Sequence, residues 1–289
     1  MTIESTHLGK QSSYPQHYDP SVLVAVPRIL NREQYGLSNE ELPFKGVDVW
    51  HAYEFSFLTK KGVPVVGMLK LIYPVTNEFL VESKSLKLYL NSFNMECIGE
   101  SRSEGISMAV EIIKKDLSEL LKCEVLVSYF DNISQSSESD FDDFIILENS
   151  IDIDSLRCDQ YSETIELLDQ SPYSGTIRWG THLLRSNCKI THQPDWGSLY
   201  IKMEGPCLPT PESFLKYIVS LRNENHFHEE ICEMVFKRIT DKYSPRRLMT
   251  ACLYTRRGGI DICPVRVYDE LLPANLSAIN IPDKPAFRQ

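Results

Sequence analysis

The chain has 289 residues, 42% of them hydrophobic, and a formal net charge of -10. That length accommodates two modest domains with cores of their own, and the composition excludes disordered and fibrous classes. The charge is local: residues 131–160 hold nine acids against one Arg, so the remainder is nearly neutral and shows no extended basic footprint for nucleic acid.

The first residues are polar with an early acid and no apolar core of a signal peptide, and the most apolar run, Val63 to Val75, is broken by Lys70. Neither secretion nor membrane insertion is expected. The eight cysteines (97, 123, 158, 188, 207, 232, 252, 263) never reach Cys-x-x-Cys spacing. They argue against a zinc knuckle or a disulfide framework and fit a reducing cytoplasm.

Residues 1–44 carry Pro, Asn and Gln with little periodicity and read as an arm that packs on something else. Val47 to Thr59 alternates, with Val47, Val49, His51, Tyr53, Phe55 and Phe57 assigned to one side. Lys60-Lys61-Gly62 then turns the chain into the strand Val63 to Val75. Ser83 is placed to cap a short helix bearing Leu86, Tyr89, Leu90 and Phe93, and a second amphipathic helix runs from about Ile106 to Leu121. Cys123 to Phe130 is a strand. The acidic, Ser-rich stretch from Asp131 to about Gln160 reads as a solvated connection, strand-like only at Phe144 to Leu147.

Beyond it the order strand, strand, helix, helix, strand returns. Strands are expected near Thr176 to Ser186 and Ser198 to Glu204, helices near Pro211 to Asn223 and His228 to Asp241, and strands at Arg247 to Tyr254 and Ile260 to Tyr268. Glu212-Ser-Phe-Leu-Lys216 falls where Glu82-Ser-Lys-Ser-Leu-Lys87 fell, which supports an internal repeat. The fold class is α+β, divided into an arm (1–44), a first module (45–150) and a second (151–289).

The segment Arg185 to Ser198 gathers Cys188, His192 and Asp195 within eight residues. In one straight strand Cys188 and Asp195 would lie about 23 Å apart on opposite faces. Pro194, followed by Asp195-Trp196-Gly197 read as a turn, is expected to fold the chain back so that thiol and carboxylate meet. No Gly-x-Gly-x-x-Gly register and no Gly-Lys-Ser/Thr loop is present, so a dinucleotide has to be held otherwise. The candidates are Ser83-Lys84 at a helix start and Arg256-Arg257-Gly258-Gly259. The seven histidines form no recognisable ligand motif, and no metal is expected.

Four stretches, Val81 to Tyr89, Arg185 to Ser198, Phe227-His228-Glu229 and Tyr254 to Gly259, together resemble the NADPH-dependent 7-cyano-7-deazaguanine reductases, nitrile reductases of queuosine biosynthesis, in their two-module form. The resemblance implies tandem tunnelling-fold modules, in which strand pairs with two helices assemble into barrels across subunits, and a homodimer. It implies Cys188 as nucleophile forming a thioimide, and Asp195, protonated, as proton donor. His228 and Glu229, with Val81, Glu82 and Ser83, would lie around the base; Ser83, Lys84, Arg257 and Gly258 would lie near NADPH. His228 is one candidate for the base that activates Cys188. Two other classes compete: a zinc-dependent pterin or purine enzyme of the same fold, and a base-binding module without turnover.

Overall fold

The computed structural model describes residues 15–131, 139–286 and 289; part of the expected arm and part of the acidic connection lie outside them. A short strand β1 (Ala25–Pro27) and one helical turn α1 (Ile29–Arg32) precede the long hairpin β2 (Lys45–Leu58) and β3 (Pro64–Pro74). Strand β4 (Phe79–Val81), helices α2 (Ser83–Asn91) and α3 (Arg102–Leu121), and strand β5 (Leu126–Phe130) complete the first half. The second half runs β6 (Ile145–Ile146), β7 (Gly175–Thr181), β8 (Arg185–Cys188), β9 (Pro194–Gly205), α4 (Pro211–Ser220), β10 (Asn225–His226), α5 (His228–Tyr243), β11 (Arg247–Tyr254), β12 (Ile260–Tyr268) and α6 (Ala274–Ser277).

Ten of the twelve described strands form one sheet in the order β10-β8-β9-β11-β12-β2-β3-β5, with β7 also paired to β9 and β6 to β7, while β1 and β4 pair with each other as a separate antiparallel ribbon. β12 and β2 run antiparallel from Ile260 opposite Ala52 to Val267 opposite Lys45, so the two halves share a continuous ladder. The strands approach so closely there that a Cβ at Gly46 would sit 2.0 Å from the Val265 carbonyl oxygen. Only glycine fits that position.

One face of the sheet carries the long helices. Leu86, Tyr89, Ala109, Ile113 and Leu117 pack on Trp50, Phe55, Phe57 and Leu69, while Phe214, Ile218, Ile231 and Val235 pack on Leu199, Ile201 and Leu248. Each fully buried Leu, Ile or Phe among them contributes about 1.5–3 kcal/mol relative to exposure. The opposite face is covered by Phe141, Phe144 and Ile146 of the acidic connection and by Leu272, Leu276 and Ile279 of the C-terminal tail. The connection is therefore not wholly solvated: Phe141 stacks on Tyr200 with ring centroids 4.2 Å apart.

Three local expectations change. The β2–β3 pairing shifts register between Ala52 and Phe55, and this bulge reverses the alternation. Trp50 and Ala52 thereby share the helix-covered face with Phe55 and Phe57, whereas Val49 belongs to the opposite core. Helix α2 is capped by Glu82 rather than Ser83; its carboxylate accepts from the backbone of Lys84 (3.1 Å) and Ser85 (2.7 Å). Helix α4 is capped by Thr210, so Glu212 falls inside its first turn and is not the positional equivalent of Glu82.

Candidate active site

The fold-back between Cys188 and Asp195 exists, but the bend lies earlier than the Pro and Gly suggested. The Cys188 amide donates to the Gln193 carbonyl (2.8 Å), the His192 amide donates to Cys188 (2.9 Å), and His192 takes a positive φ of 55°. Pro194 is the first residue of β9, where a missing N–H is tolerated, and Asp195, Trp196 and Gly197 continue that strand. On the other side β10 runs parallel to β8 with His226 opposite Cys188. That pairing sets Phe227 and the first turn of α5 beside the thiol. Cys188, Asp195 and His228 thus meet through two strand pairings flanking one short hairpin.

Apart from Arg256, whose guanidinium lies over the Tyr53 ring, and Gly259, which lies against Glu54, the residues singled out above as catalytic, substrate-facing or cofactor-facing line a single cleft of about 280 Å³, floored by Trp50, Ile260 and Ile262 where β2 and β12 pair. Val81, Glu82, Ser83 and Lys84 come from the first half; Cys188, Asp195, His228, Glu229, Arg257 and Gly258 come from the second. Both helix starts, of α2 and of α5, open into it. His192 lies on the hairpin outside this lining, its Nδ1 2.8 Å from Asn225 Oδ1.

Asp195 is buried, with His228 Nε2 3.3 Å from one carboxylate oxygen and Arg257 Nη1 donating to the other at 2.5 Å. Burial pushes the Asp195 carboxyl up, but the His228 hydrogen bond and the Arg257 guanidinium outweigh it and hold it below the usual range. Asp195 is therefore a carboxylate here, which departs from the protonated acid implied by the resemblance. The His228 ring stacks on Tyr254 at 3.7 Å and 5°, which fixes its plane, and its Nδ1 is buried with no protein partner. Arg257, expected at the cofactor, also donates to the Gln193 side chain and so braces the hairpin.

Glu229 is fully buried, and burial first, then the nearby Asp48 carboxylate, pushes its carboxyl up to about 8. One of its oxygens has no protein partner, and neither does the buried indole N–H of Trp50. An acceptor, a donor and the His228 Nδ1 thus stand unused in one cleft, the pattern expected of groups awaiting a polar planar ligand. Burial also raises the Glu82 carboxyl above its ordinary range, against the two backbone donors it caps.

At the outer end, Lys84 forms no ion pair among the described residues, and Lys87 donates to the Gly258 carbonyl at 2.6 Å. Gly258 has φ 59°, and a Cβ there would meet Lys87 Nζ at 2.8 Å. Lys84 on the first turn of α2, with Lys87 one turn on held between Glu54 and the Gly258 carbonyl, suits a phosphate-bearing cofactor. Lys87 was legible as part of the Val81 to Tyr89 motif, yet only the turn of α2 reveals that it lines the cleft. Trp50 was hidden by the bulge.

Known proteins bear on this arrangement directly. The model of the nitrile reductase, 7-cyano-7-deazaguanine-reductase N-terminal family matches residues 14–129, and that of the QueF-like protein family matches residues 194–271. An NADPH-dependent 7-cyano-7-deazaguanine reductase of Rickettsia bellii (strain OSU 85-389) is 40% identical over 270 residues, covering 93% of this chain and 95% of the relative. That of Chromohalobacter salexigens is 36% identical over 271 residues, covering 92% of each. Among solved structures, the apo archaeosine synthase QueF-Like aligns over 35% of this chain and 99% of its own at 16% identity, with a TM-score of 0.30. With matches that span both halves and the cleft between them, the chain belongs to the NADPH-dependent 7-cyano-7-deazaguanine reductase family.

Proposed function

We propose that this chain reduces the nitrile of 7-cyano-7-deazaguanine to the aminomethyl group of 7-aminomethyl-7-deazaguanine, the reaction that serves queuosine biosynthesis, with NADPH as reductant. The observation that carries this reading is the convergence of a thiol, a His–carboxylate pair and unpartnered base-reading groups in one cleft between the halves.

The nitrile carbon is electrophilic but neutral and calls for a soft nucleophile. The Cys188 thiolate forms the C–S bond while a C–N π pair moves onto nitrogen, which takes up a proton and gives a thioimide. Because Asp195 is held ionised, the proton is delivered from the His228 edge of the His228–Asp195 pair, and Arg257 keeps the carboxylate aimed. NADPH, when bound, supplies the two hydrides that carry the carbon to the amine level, with thiolate expelled in between and NADP+ exchanged between the transfers. Glu229 accepts the ring N–H and exocyclic amine of the base, with Val81, Glu82 and Ser83 closing the other side. Lys84, Lys87, Ser83 and the Gly258 backbone would hold the phosphates of the cofactor.

The recurrence of strand, strand, helix, helix, strand supports tandem tunnelling-fold modules with boundaries near residues 45 and 151, and the outer edge of β5, unpaired among the described strands, supports a homodimer. No helix among the described residues is long and apolar enough to cross a membrane; the cytoplasm remains the expected compartment, and direct nucleic-acid binding is not expected. Among the described residues a zinc-dependent reading has one candidate cluster, His51, Asp261 and Cys263, on the sheet face away from the cleft. There His51 already lies 2.6 Å from Asp261 and 2.6 Å from Asp283, and Lys70 pairs with Asp283, so cations are built in. Purified protein given the nitrile and NADPH should consume the reduced cofactor, and prolonged chelation should leave the rate unchanged. No consumption would favour the non-catalytic module; loss on chelation would favour zinc.

A further inference from the structure

Just behind the cleft lies a second set of charged groups that the chemistry above does not use. Glu230, buried in the first turn of α5, accepts from His226 Nδ1 at 2.8 Å, from Lys189 Nζ at 3.2 Å and from the Phe227 amide at 3.3 Å, and also from the Gln34 side chain. Lys189 in turn donates to Asn31 Oδ1 at 2.8 Å. These partners are not scattered. Lys189 follows Cys188 directly, His226 is the residue paired opposite Cys188, and Phe227 is the cap of α5. One carboxylate therefore gathers both flanks of the thiol, the helix start that carries His228 and Glu229, and the segment that precedes β2.

We propose that Glu230 and Lys189 are a positioning pair, seated by Asn31 and Gln34, that locks the Cys188 hairpin against the start of α5 in the geometry needed for attack on the nitrile. The proposal rests on Cys188 being the nucleophile. Neither Lys189 nor Glu230 touches the substrate; they act through the hairpin. Attack requires the sulfur near van der Waals contact with a carbon held by Glu229 and His228, so a hairpin loosened from α5 misplaces sulfur relative to a ligand that is still bound. A misplacement of about 1 Å costs about a hundredfold in rate, while the contacts that hold the ligand are kept. The arm thereby has a task that its bare sequence does not announce.

The test compares wild type, Lys189→Met, Lys189→Arg and Glu230→Gln by intact mass, following the rate of covalent capture of the nitrile without NADPH. Nitrile affinity is measured alongside by calorimetry in the Cys188→Ala background, where no bond forms. Expected is capture slowed about ten- to a hundredfold in Lys189→Met and Glu230→Gln, with affinity within about threefold of the parent and with Lys189→Arg close to wild type. Capture at the wild-type rate in both variants overturns the proposal. So does a loss of affinity as large as the loss of rate, or an Arg variant as slow as the Met variant, since either marks general disruption. Absence of capture in wild type would instead remove the nucleophile assignment, and the positioning role with it.

Discussion

Glu229 is a cleft side chain whose state is set by its surroundings, and its pH behaviour is testable. Its carboxyl is pushed up to about 8, so between the ordinary carboxyl range and that value the native protein holds a proton that the unfolded chain releases. Native stability contributed by this group therefore falls as pH rises through that window. Ligand affinity runs the other way, because ring N–H and amine donors need the carboxylate. Nitrile affinity in wild type should rise with pH up to about 8 with proton release, whereas Glu229→Gln should bind more weakly and lose that slope; calorimetry in buffers of different ionisation enthalpy reads both. Lys84 and Arg257 separate two further roles. Lys84→Ala should raise the KM for NADPH by roughly ten- to a hundredfold, the value of about 1.5–3 kcal/mol for one charge-assisted hydrogen bond, and leave nitrile capture alone. Arg257→Ala should slow capture itself, since its guanidinium braces Asp195 and Gln193. Residue types were legible in the sequence; that Arg257 serves Asp195, 62 positions away, was not, because no local pattern encodes a pairing across two strands.

Elements explain why the reactive groups converge. Periodicity alone located the long strands and all four long helices of the two halves, since a continuous apolar face of 2.0 or 3.6 spacing survives any tertiary context. What periodicity misplaced were the irregularities. The Pro194 region read as a turn but opens β9, and the bulge after Ala52 rotated Trp50 into the cleft. Both are set by strand pairing, Pro194 opposite Asn187 and Phe55 opposite Gly67, which the periodicity of a single strand does not carry. The α2 start carries a prediction of its own: Glu82 caps two backbone N–H groups from a buried position. Glu82→Ala should cost about 0.5–2 kcal/mol in denaturant unfolding and should also weaken the nitrile, because the same turn lines the cleft. An undiminished midpoint would show that another group takes over the cap.

At the scale of the molecule the cleft exists because the halves share a sheet and a buried charge network. Arg28 and Arg32 of the arm, Asp48 of β2, Glu233 of α5 and Arg266 of β12 are all buried; Arg266 reaches Asp48 at 2.8 Å and Glu233 at 2.9 Å, and Arg32 reaches Glu233 at 2.8 Å. Three guanidiniums face two carboxylates one turn along α5 from Glu229. Removing an acid leaves uncompensated charge in the interior, so Glu233→Ala should destabilise by about 3–5 kcal/mol, read from urea unfolding. The arm was the least legible part of the sequence because its contribution is a few long polar side chains rather than a periodic face.

The most direct test is a mass measurement on Cys188. Wild-type protein mixed with 7-cyano-7-deazaguanine in the absence of NADPH should gain the mass of one nitrile molecule per chain, lose it when NADPH is added, and show no gain in Cys188→Ala of unchanged thermal stability. An equal gain in the alanine variant, or turnover in wild type through which no covalent adduct ever forms, would contradict the assignment of Cys188 as the nucleophile.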